Sequence, residues 1–186
     1  MKNKLMIALF CCVALAQLST SFSMIINRES VLKNGEQFKF KAAPFDPYDA
    51  FRGRYVALQI AENTVSLPKG MALRSGQEVY ARIAVDEQGF AKFTTLSLRK
   101  PQGIACMQAK VSYISKGVAH LDLPVDRYYM EEKAAPAAEK AYREHTRRGK
   151  QDAYILVRVR DGFAVIEALY VGDRRIEDVV KGSKNN

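Results

Sequence analysis

The sequence predicts a mainly β (α+β) protein, with about eight short antiparallel strands in a sandwich or open barrel, one packed helix, and an N-terminal transmembrane helix before them. Three observations support this prediction: an apolar run near the N-terminus, short alternating segments after residue 35, and turn pairs such as Asp161-Gly162 between those segments. Hydrophobic residues make up 48% of the 186 residues, which is enough to build a core and excludes a disordered chain. We expect a membrane anchor or signal segment at 1–34 and an exported domain at 35–186.

The first element is an uncharged segment that follows Lys2 and Lys4. Residues 5–26 form a run of 22 residues, and a helix rising about 1.5 Å per residue would make it roughly 33 Å long, enough to cross a bilayer core. The same run contains Ala14-Leu15-Ala16, the A-x-A pattern of a cleaved signal peptide. Anchor and cleaved signal both stay open. In either case the two lysines hold the N-terminus in the cytoplasm, so the domain lies in the periplasm, either on a single-pass inner-membrane helix or free after cleavage.

The elements that follow are strands, apart from one helix. The helix is predicted to continue through residues 25–33 and to end at Asn34-Gly35. Strand alternation occurs at 37–42, 54–61, 78–86, 90–98, 105–114, 118–123, 153–160 and 163–171. Glycine-containing turns join three pairs of these segments as hairpins. Residues 137–148 are predicted as a helix because Ala138, Ala141, Tyr142 and His145 form a narrow apolar stripe.

The sequence carries few of the groups that catalysis or metal binding requires. His120 and His145 have no cysteine pair or second histidine at metal-ligand spacing, so we expect no metal and no cofactor. Neither a GxSxG motif nor a Cys-His arrangement supplies a nucleophile, and we therefore expect a protein that is not an enzyme. Cys106 is the only thiol of the exported part, and we expect it to be buried.

The net charge of +9 does not form a nucleic-acid-binding stripe. Basic residues are interleaved with acidic ones, as where Arg174-Arg175 precedes Glu177-Asp178. Phosphate recognition along a nucleic acid requires a concentrated basic surface, and export removes most nucleic acid. We expect no nucleic-acid partner, and a solvated basic face close to anionic lipid headgroups.

Residues 43–55 are unusually rich in aromatic and charged side chains and form a predicted loop that enters a strand. Loops that proline stiffens often carry recognition, and a second such segment, 126–132, precedes the helix. In the alternative interpretation this loop is a stiff connection whose Phe45, Tyr48 and Phe51 close one end of the barrel. The predicted interaction loop consists of Asp46, Asp49, Phe51, Arg52, Gly53, Arg54 and Tyr55, with Tyr128 and Tyr129 beside it.

An ordered set of short segments resembles the GDYXXLXY protein family. In the motif at 53–60, Gly53, Tyr55 and Leu58 match, whereas Arg54 replaces the aspartate and Ile60 the final tyrosine. The resemblance extends to the apolar N-terminus and to four further segments. These are Ala43-Pro44 with Asp46-Pro47, Arg127-Tyr128-Tyr129, Leu169-Tyr170-Val171 and Ile176-Glu177-Asp178.

The resemblance implies a membrane-anchored exported domain, a companion of multi-spanning membrane proteins, and it supplies no catalytic residues. We therefore expect a non-catalytic accessory or interaction domain that partners a multi-spanning membrane protein. The alternative, a barrel that binds a small or lipidic molecule, follows from strands whose apolar faces could enclose a cavity.

Overall fold

The computed structural model of the chain describes residues 2–44, 55–68, 70–147 and 149–183. These ranges hold three helices: α1 (Lys2–Asn34), α2 (Ala135–Thr146) and α3 (Ile176–Ser183). Their twelve strands are β1 (Glu36–Ala43), β2 (Tyr55–Ala57), β3 (Gln59–Ile60), β4 (Thr64–Ser66), β5 (Glu78–Val85), β6 (Ala91–Ser97), β7 (Cys106–Ser115), β8 (Val118–Asp122), β9 (Arg127–Tyr129), β10 (Ala153–Arg160), β11 (Phe163–Val171) and β12 (Arg174–Arg175). The named strands pair antiparallel, which confirms the predicted fold class.

The first sheet has the strand order β12-β11-β10-β1-β3. In β1, Phe38, Phe40 and Ala42 are buried, while the residues between them face outward, as alternation along a strand requires. Phe40 lies opposite the buried Ile155 of β10. The hairpin from β10 to β11 turns at Asp161-Gly162, both with positive φ, as its sequence predicts.

The second sheet has the strand order β4-β8-β7-β5-β6. Its outer strands β4 and β6 approach each other, so the sheet forms a nearly closed barrel. Small and branched side chains fill the interior, among them Val79, Val111 and Ala119, each at most 1% exposed. The barrel interior is therefore packed core.

The predicted strand 54–61 is divided between two sheets. β2 pairs with β9 in a separate two-stranded ribbon, whereas β3 pairs with β1 in the first sheet. Leu58, between them, is buried, and its backbone N–H donates to the Asp126 carbonyl at 2.8 Å. The prediction of one continuous strand is therefore wrong. Val56, Leu58 and Ile60 are all buried, as in one strand, but the strand that pairs with the backbone changes between them.

Helix α1 has an exposed apolar part and a short buried end. One stretch of the described residues, Leu9–Asn34, is long and apolar enough to cross a membrane by length and composition, as a signal sequence also is. The side chain of Phe10 is 72% exposed, whereas Val31 is 2% exposed, since the last turns pack on β10 and β11. The helix ends at Asn34, as predicted.

The junction between α1 and β1 consists of Gly35 alone. Its N–H donates to the Val31 carbonyl at 2.8 Å, and its own carbonyl accepts from Arg158 Nη1 at 3.0 Å. One turn earlier, Arg160 Nη1 donates to Ser30 Oγ at 2.7 Å. These bonds fix the direction in which the helix leaves the domain.

Helix α2 packs against the ribbon and the first sheet. It begins two residues before the predicted position 137, with Pro136 in its first turn, and it ends at Thr146. Ala138 and Tyr142 of the predicted stripe are fully buried, and Ala141 and His145 are half-buried. Its buried face contacts the end of β1 at Ala43 and the start of β3 at Gln59.

Candidate interaction site

Three of the nine residues predicted for the interaction loop lie in described parts of the chain. Tyr55 belongs to β2, and Tyr128 and Tyr129 belong to β9, so the structure brings the two sequence segments together as one ribbon. The other predicted members lie outside the described residues, as do Phe45 and Tyr48 of the alternative interpretation. These members are Asp46, Asp49, Phe51, Arg52, Gly53 and Arg54.

The outer face of the ribbon is aromatic and cationic. Tyr55 lies directly opposite Tyr129, and their ring centroids are 5.6 Å apart. The guanidinium carbon of Arg127 lies 5.3 Å from the Tyr55 ring centroid, within range of a cation–π contact. A hydrogen bond to Tyr129 and the nearby Asp126 raise the pKa of Arg127 further above its usual range. With Tyr129 59% exposed, this face offers a planar ring and a fixed positive charge to a partner.

The inner face of the ribbon attaches α3. Val56 is fully buried, and Tyr128, its partner across the ribbon, donates its hydroxyl to Glu177 Oε1. Burial and the hydrogen bond to Glu177 raise the pKa of Tyr128, so the phenol keeps its proton. The other carboxylate oxygen, Oε2, is buried without a hydrogen-bond partner in the described part of the chain. Tyr128 therefore faces inward, although the sequence groups it with the exposed Tyr129.

Tyr142 of α2 joins the end of β1 to the start of β3. Its hydroxyl donates to the Ala43 carbonyl at 2.6 Å and accepts the Gln59 N–H at 3.4 Å. Burial raises the pKa of Tyr142 to about 12. Ala43 is the last residue of β1, and Tyr55 is the first residue of β2.

Two depressions flank the ribbon. An open groove of about 590 Å³ runs from the Ala57 side of the ribbon along β8, where the His120 ring stacks on Tyr113 at 4.0 Å. A cleft of about 190 Å³ lies between Arg28 of α1 and the residues Arg127 and Tyr129 of β9. The ribbon therefore borders both the barrel and the C-terminal end of the apolar helix α1.

Cys106 and His145, two residues that the sequence raised as possible reactive groups, lie in packed parts of the domain. Cys106 is 3% exposed, as predicted, and burial raises the pKa of its thiol. His145 Nδ1 lies 2.7 Å from Asp152 Oδ1, a contact that joins α2 to the start of β10. Among the described residues, no three His, Cys, Asp or Glu side chains lie close enough together to hold a metal ion.

These features describe an α+β domain on an apolar N-terminal helix, with an aromatic ribbon beside the point where the helix joins. The family model described as GDYXXLXY protein matches residues 17–169, and the chain belongs to this family. The family has no known function. Comparison with curated proteins finds no match, and comparison with solved structures finds none either.

The family motif coincides with the passage of the chain from the ribbon to the first sheet. Tyr55 begins the ribbon strand, Leu58 is buried at the passage, and Ile60 is buried in β3. The tyrosine that the family has at position 60 is replaced by an aliphatic side chain that is 4% exposed in this core. Leu58 and Ile60 of the motif are therefore core residues, whereas Tyr55 lies on the outer face of the ribbon.

Sequence reasoning missed Arg28 as a neighbour of the predicted tyrosines, and it noted the segment of Asp126 and Arg127 without assigning these two residues to the site. Arg28 is the first charged residue after the apolar run, which marks it as a residue at the edge of a membrane. Nothing in the local sequence connects it to β9, about a hundred positions further along the chain, because only the packing of α1 on β10 and β11 brings them together.

Proposed function

We propose that this chain is a membrane-anchored accessory domain of the periplasmic side that partners an integral membrane protein. The observation that carries the proposal is the change in exposure along α1. Ile26 is 53% exposed and Val31 is 2% exposed, so the helix passes within two turns from a surface suited to lipid to contact with the domain. An exposed apolar helix that is attached to the domain at its last turns is the arrangement of a single-pass anchor.

The proposal of a protein partner rests on the outer face of the ribbon, which lies beside the end of α1. Confinement to a membrane raises the local concentration of any partner in the same bilayer, so a small interface suffices. The Tyr55 and Tyr129 rings with Arg127 provide side-chain types that are enriched where proteins bind one another. They lie beside the end of α1, within reach of another protein that crosses the same membrane.

The alternative function, binding of a small molecule, rests on the open groove along β8. Side chains such as Met107, with no exposure, occupy the interior of the barrel. A ligand of the described part of the barrel would therefore lie on its outside, in this groove or in a cleft of about 410 Å³ beside Gln108. The groove has both polar and apolar lining residues but does not favour one ligand class.

Affinity capture of the C-terminally tagged chain from native membranes in mild detergent tests the proposal. We expect a multi-spanning protein in stoichiometric amount, together with a peptide from residues 5–26. Tyr129→Ala should lower the captured amount about tenfold, the effect of losing one aromatic hot spot. Tyr113→Ala is the matched control because Tyr113 is a similarly exposed tyrosine on the barrel, and it should leave capture unchanged.

Capture of the chain alone, beginning at Gln17 or Met24, would contradict the anchored-partner proposal. In that case a small molecule in native mass spectra of the same sample, lost on denaturation, would favour the alternative. Equal capture by Tyr129→Ala and the wild type would place the partner elsewhere on the domain.

A further inference from the structure

The end of α1 fixes how close the domain lies to the bilayer. Residues 5–27 carry no charge, and Arg28 is the first charged residue after them. Arg28 follows Ile26 by two residues, about 3 Å along a helix axis. The polar headgroup layer of one leaflet is about 5–7 Å thick. With Ile26 at the edge of the hydrocarbon, Arg28 therefore lies inside the headgroup layer.

The residues that line a cleft of about 190 Å³ with Arg28 lie close to that residue. Across the cleft are Arg127 and Tyr129 of β9, and Val165 and Ile166 of β11 form part of its apolar wall. Arginine and tyrosine are the side-chain types that proteins place at the interface between membrane and water. The part of the ribbon nearest α1 therefore has both the position and the composition of a membrane-contacting surface.

The charges of the cleft favour an anion. Arg28 and Arg127 supply two guanidinium groups, and Asp126 supplies one carboxylate. Arg127 Nε lies 3.4 Å from Asp126 Oδ2, and the guanidinium also contacts Tyr129 and the Tyr55 ring. The group is exposed and has five N–H donors, more than these contacts use. A second nearby carboxylate, Glu29, is engaged by Lys33 at 3.1 Å. The cleft keeps a positive balance at the depth where lipid phosphates lie.

From this geometry we propose that the cleft between α1 and β9 binds the phosphate group of an anionic membrane phospholipid. The two arginines bind the phosphate oxygens, and the acyl chains run along the exposed apolar surface of α1. Residues Val165 and Ile166 cover the glycerol end of the lipid. The proposal rests on the membrane anchoring proposed above and adds a specific lipid ligand to it.

Native mass spectrometry of the full chain, released from detergent, tests this site with phosphatidylglycerol as the probe. We expect one phosphatidylglycerol to be retained by the wild type. R28Q with R127Q should weaken retention about thirtyfold, on the basis of about 1 kcal/mol for each cation near a membrane surface. R74Q with R82Q, a matched pair of exposed arginines outside the cleft, should leave retention unchanged.

Two ligand controls identify the source of the phosphate. A diacylglycerol with the same acyl chains but no phosphate should not be retained through the arginines, so R28Q with R127Q should not alter its binding. Inorganic phosphate at the same concentration should neither bind nor displace the lipid. Displacement by inorganic phosphate, or equal retention of phosphatidylglycerol by the wild type and R28Q with R127Q, would overturn the proposal.

D126N gives an independent test if the double arginine variant fails to fold. Loss of the competing carboxylate should tighten retention about fivefold, and unchanged retention would overturn the proposal. The intact mass of the same sample separates this inference from the anchoring. A shortened chain contradicts anchoring, whereas a full-length chain without arginine-dependent lipid contradicts the lipid site alone.

Discussion

The junction between α1 and β1 and the tyrosine contacts around the ribbon are held by different kinds of contact. At the α1 junction, backbone groups of Val31, Gly35 and Val159 lie so close that there is no room for a side chain on the glycine. Beside and within the ribbon, the hydroxyl groups of the buried Tyr142 and the half-buried Tyr128 donate to Ala43 and Glu177. The first contact depends on the absence of a side chain and the second on one oxygen atom, so substitutions should affect them unequally.

The largest effect is expected for Gly35→Ala. The added Cβ would lie 2.4 Å from the Val31 carbonyl oxygen and 3.2 Å from the Val159 backbone nitrogen and oxygen. Since all three neighbours are backbone atoms, the helix or the strand must move. We expect the free energy of unfolding to fall by about 3 kcal/mol, as measured by chemical denaturation in detergent.

Gly182→Ala is the matched control for that substitution. Gly182 lies in α3, and the atom nearest to its added Cβ is a terminal nitrogen of Arg174, at an ordinary 3.5 Å. Alanine favours a helix over glycine, so we expect no loss of stability. An equal loss in both variants would show that the α1 junction has no special requirement for glycine.

A smaller effect is expected for Tyr142→Phe. Removal of the hydroxyl leaves the Ala43 carbonyl and the Gln59 N–H without their partner. We expect a loss of about 2 kcal/mol at neutral pH. Hydrogen exchange should increase at Gln59 and remain unchanged in β7, which belongs to the other five-stranded sheet.

The same tyrosine predicts a dependence of stability on alkaline pH. The pKa of Tyr142 is raised from 10 to about 12 in the folded chain. Its stabilising effect is therefore complete below pH 10, where the phenol is protonated in both states, and is lost as the pH rises toward 12. The wild type should lose up to about 2–3 kcal/mol more than Tyr142→Phe between these values. If the free energy of unfolding falls equally with pH in the wild type and in Tyr142→Phe, the result would contradict the burial of the Tyr142 hydroxyl.

The smallest effect is expected at the ribbon itself. Tyr128→Phe leaves the half-buried Glu177 carboxylate without its phenol donor and should cost about 1 kcal/mol, with faster hydrogen exchange in α3. Tyr129→Phe, the adjacent and exposed substitution, should have no measurable effect on stability. If both variants behave alike, the inner and outer faces of the ribbon are not distinct in solution.

The sequence allowed prediction of the long elements because their periodicity spans many residues. In β10, the residues Ala153, Ile155, Val157 and Val159 are all buried, so alternation alone identifies the strand and its inward face. The strands β4, β9 and β12 have two or three residues, too few to show a period. Pairing partners also escape prediction, since alternation at 54–61 indicates which side chains face inward but not which strand is adjacent.

The candidate site was predictable in composition but not in arrangement. The density of aromatic residues singled out Tyr55 and Tyr129, and the structure places the two rings together. Their contact joins segments more than seventy residues apart, and it depends on the ribbon, which no local pattern indicates. The inward direction of Tyr128 follows from its register opposite Val56, a property of the pairing rather than of the residue.

The direct passage from Asn34 through Gly35 into β1 also has a mechanical consequence. An apolar run of roughly 33 Å is slightly longer than a typical hydrocarbon core of about 30 Å, and helices accommodate such an excess by tilting. The helix is bonded to Arg158 and Arg160 where it joins the domain, so the domain must tilt with it. Under the proposed anchoring, the thickness of the bilayer sets the angle at which the ribbon meets the membrane surface, and a change of lipid composition alters that angle without a change in the fold.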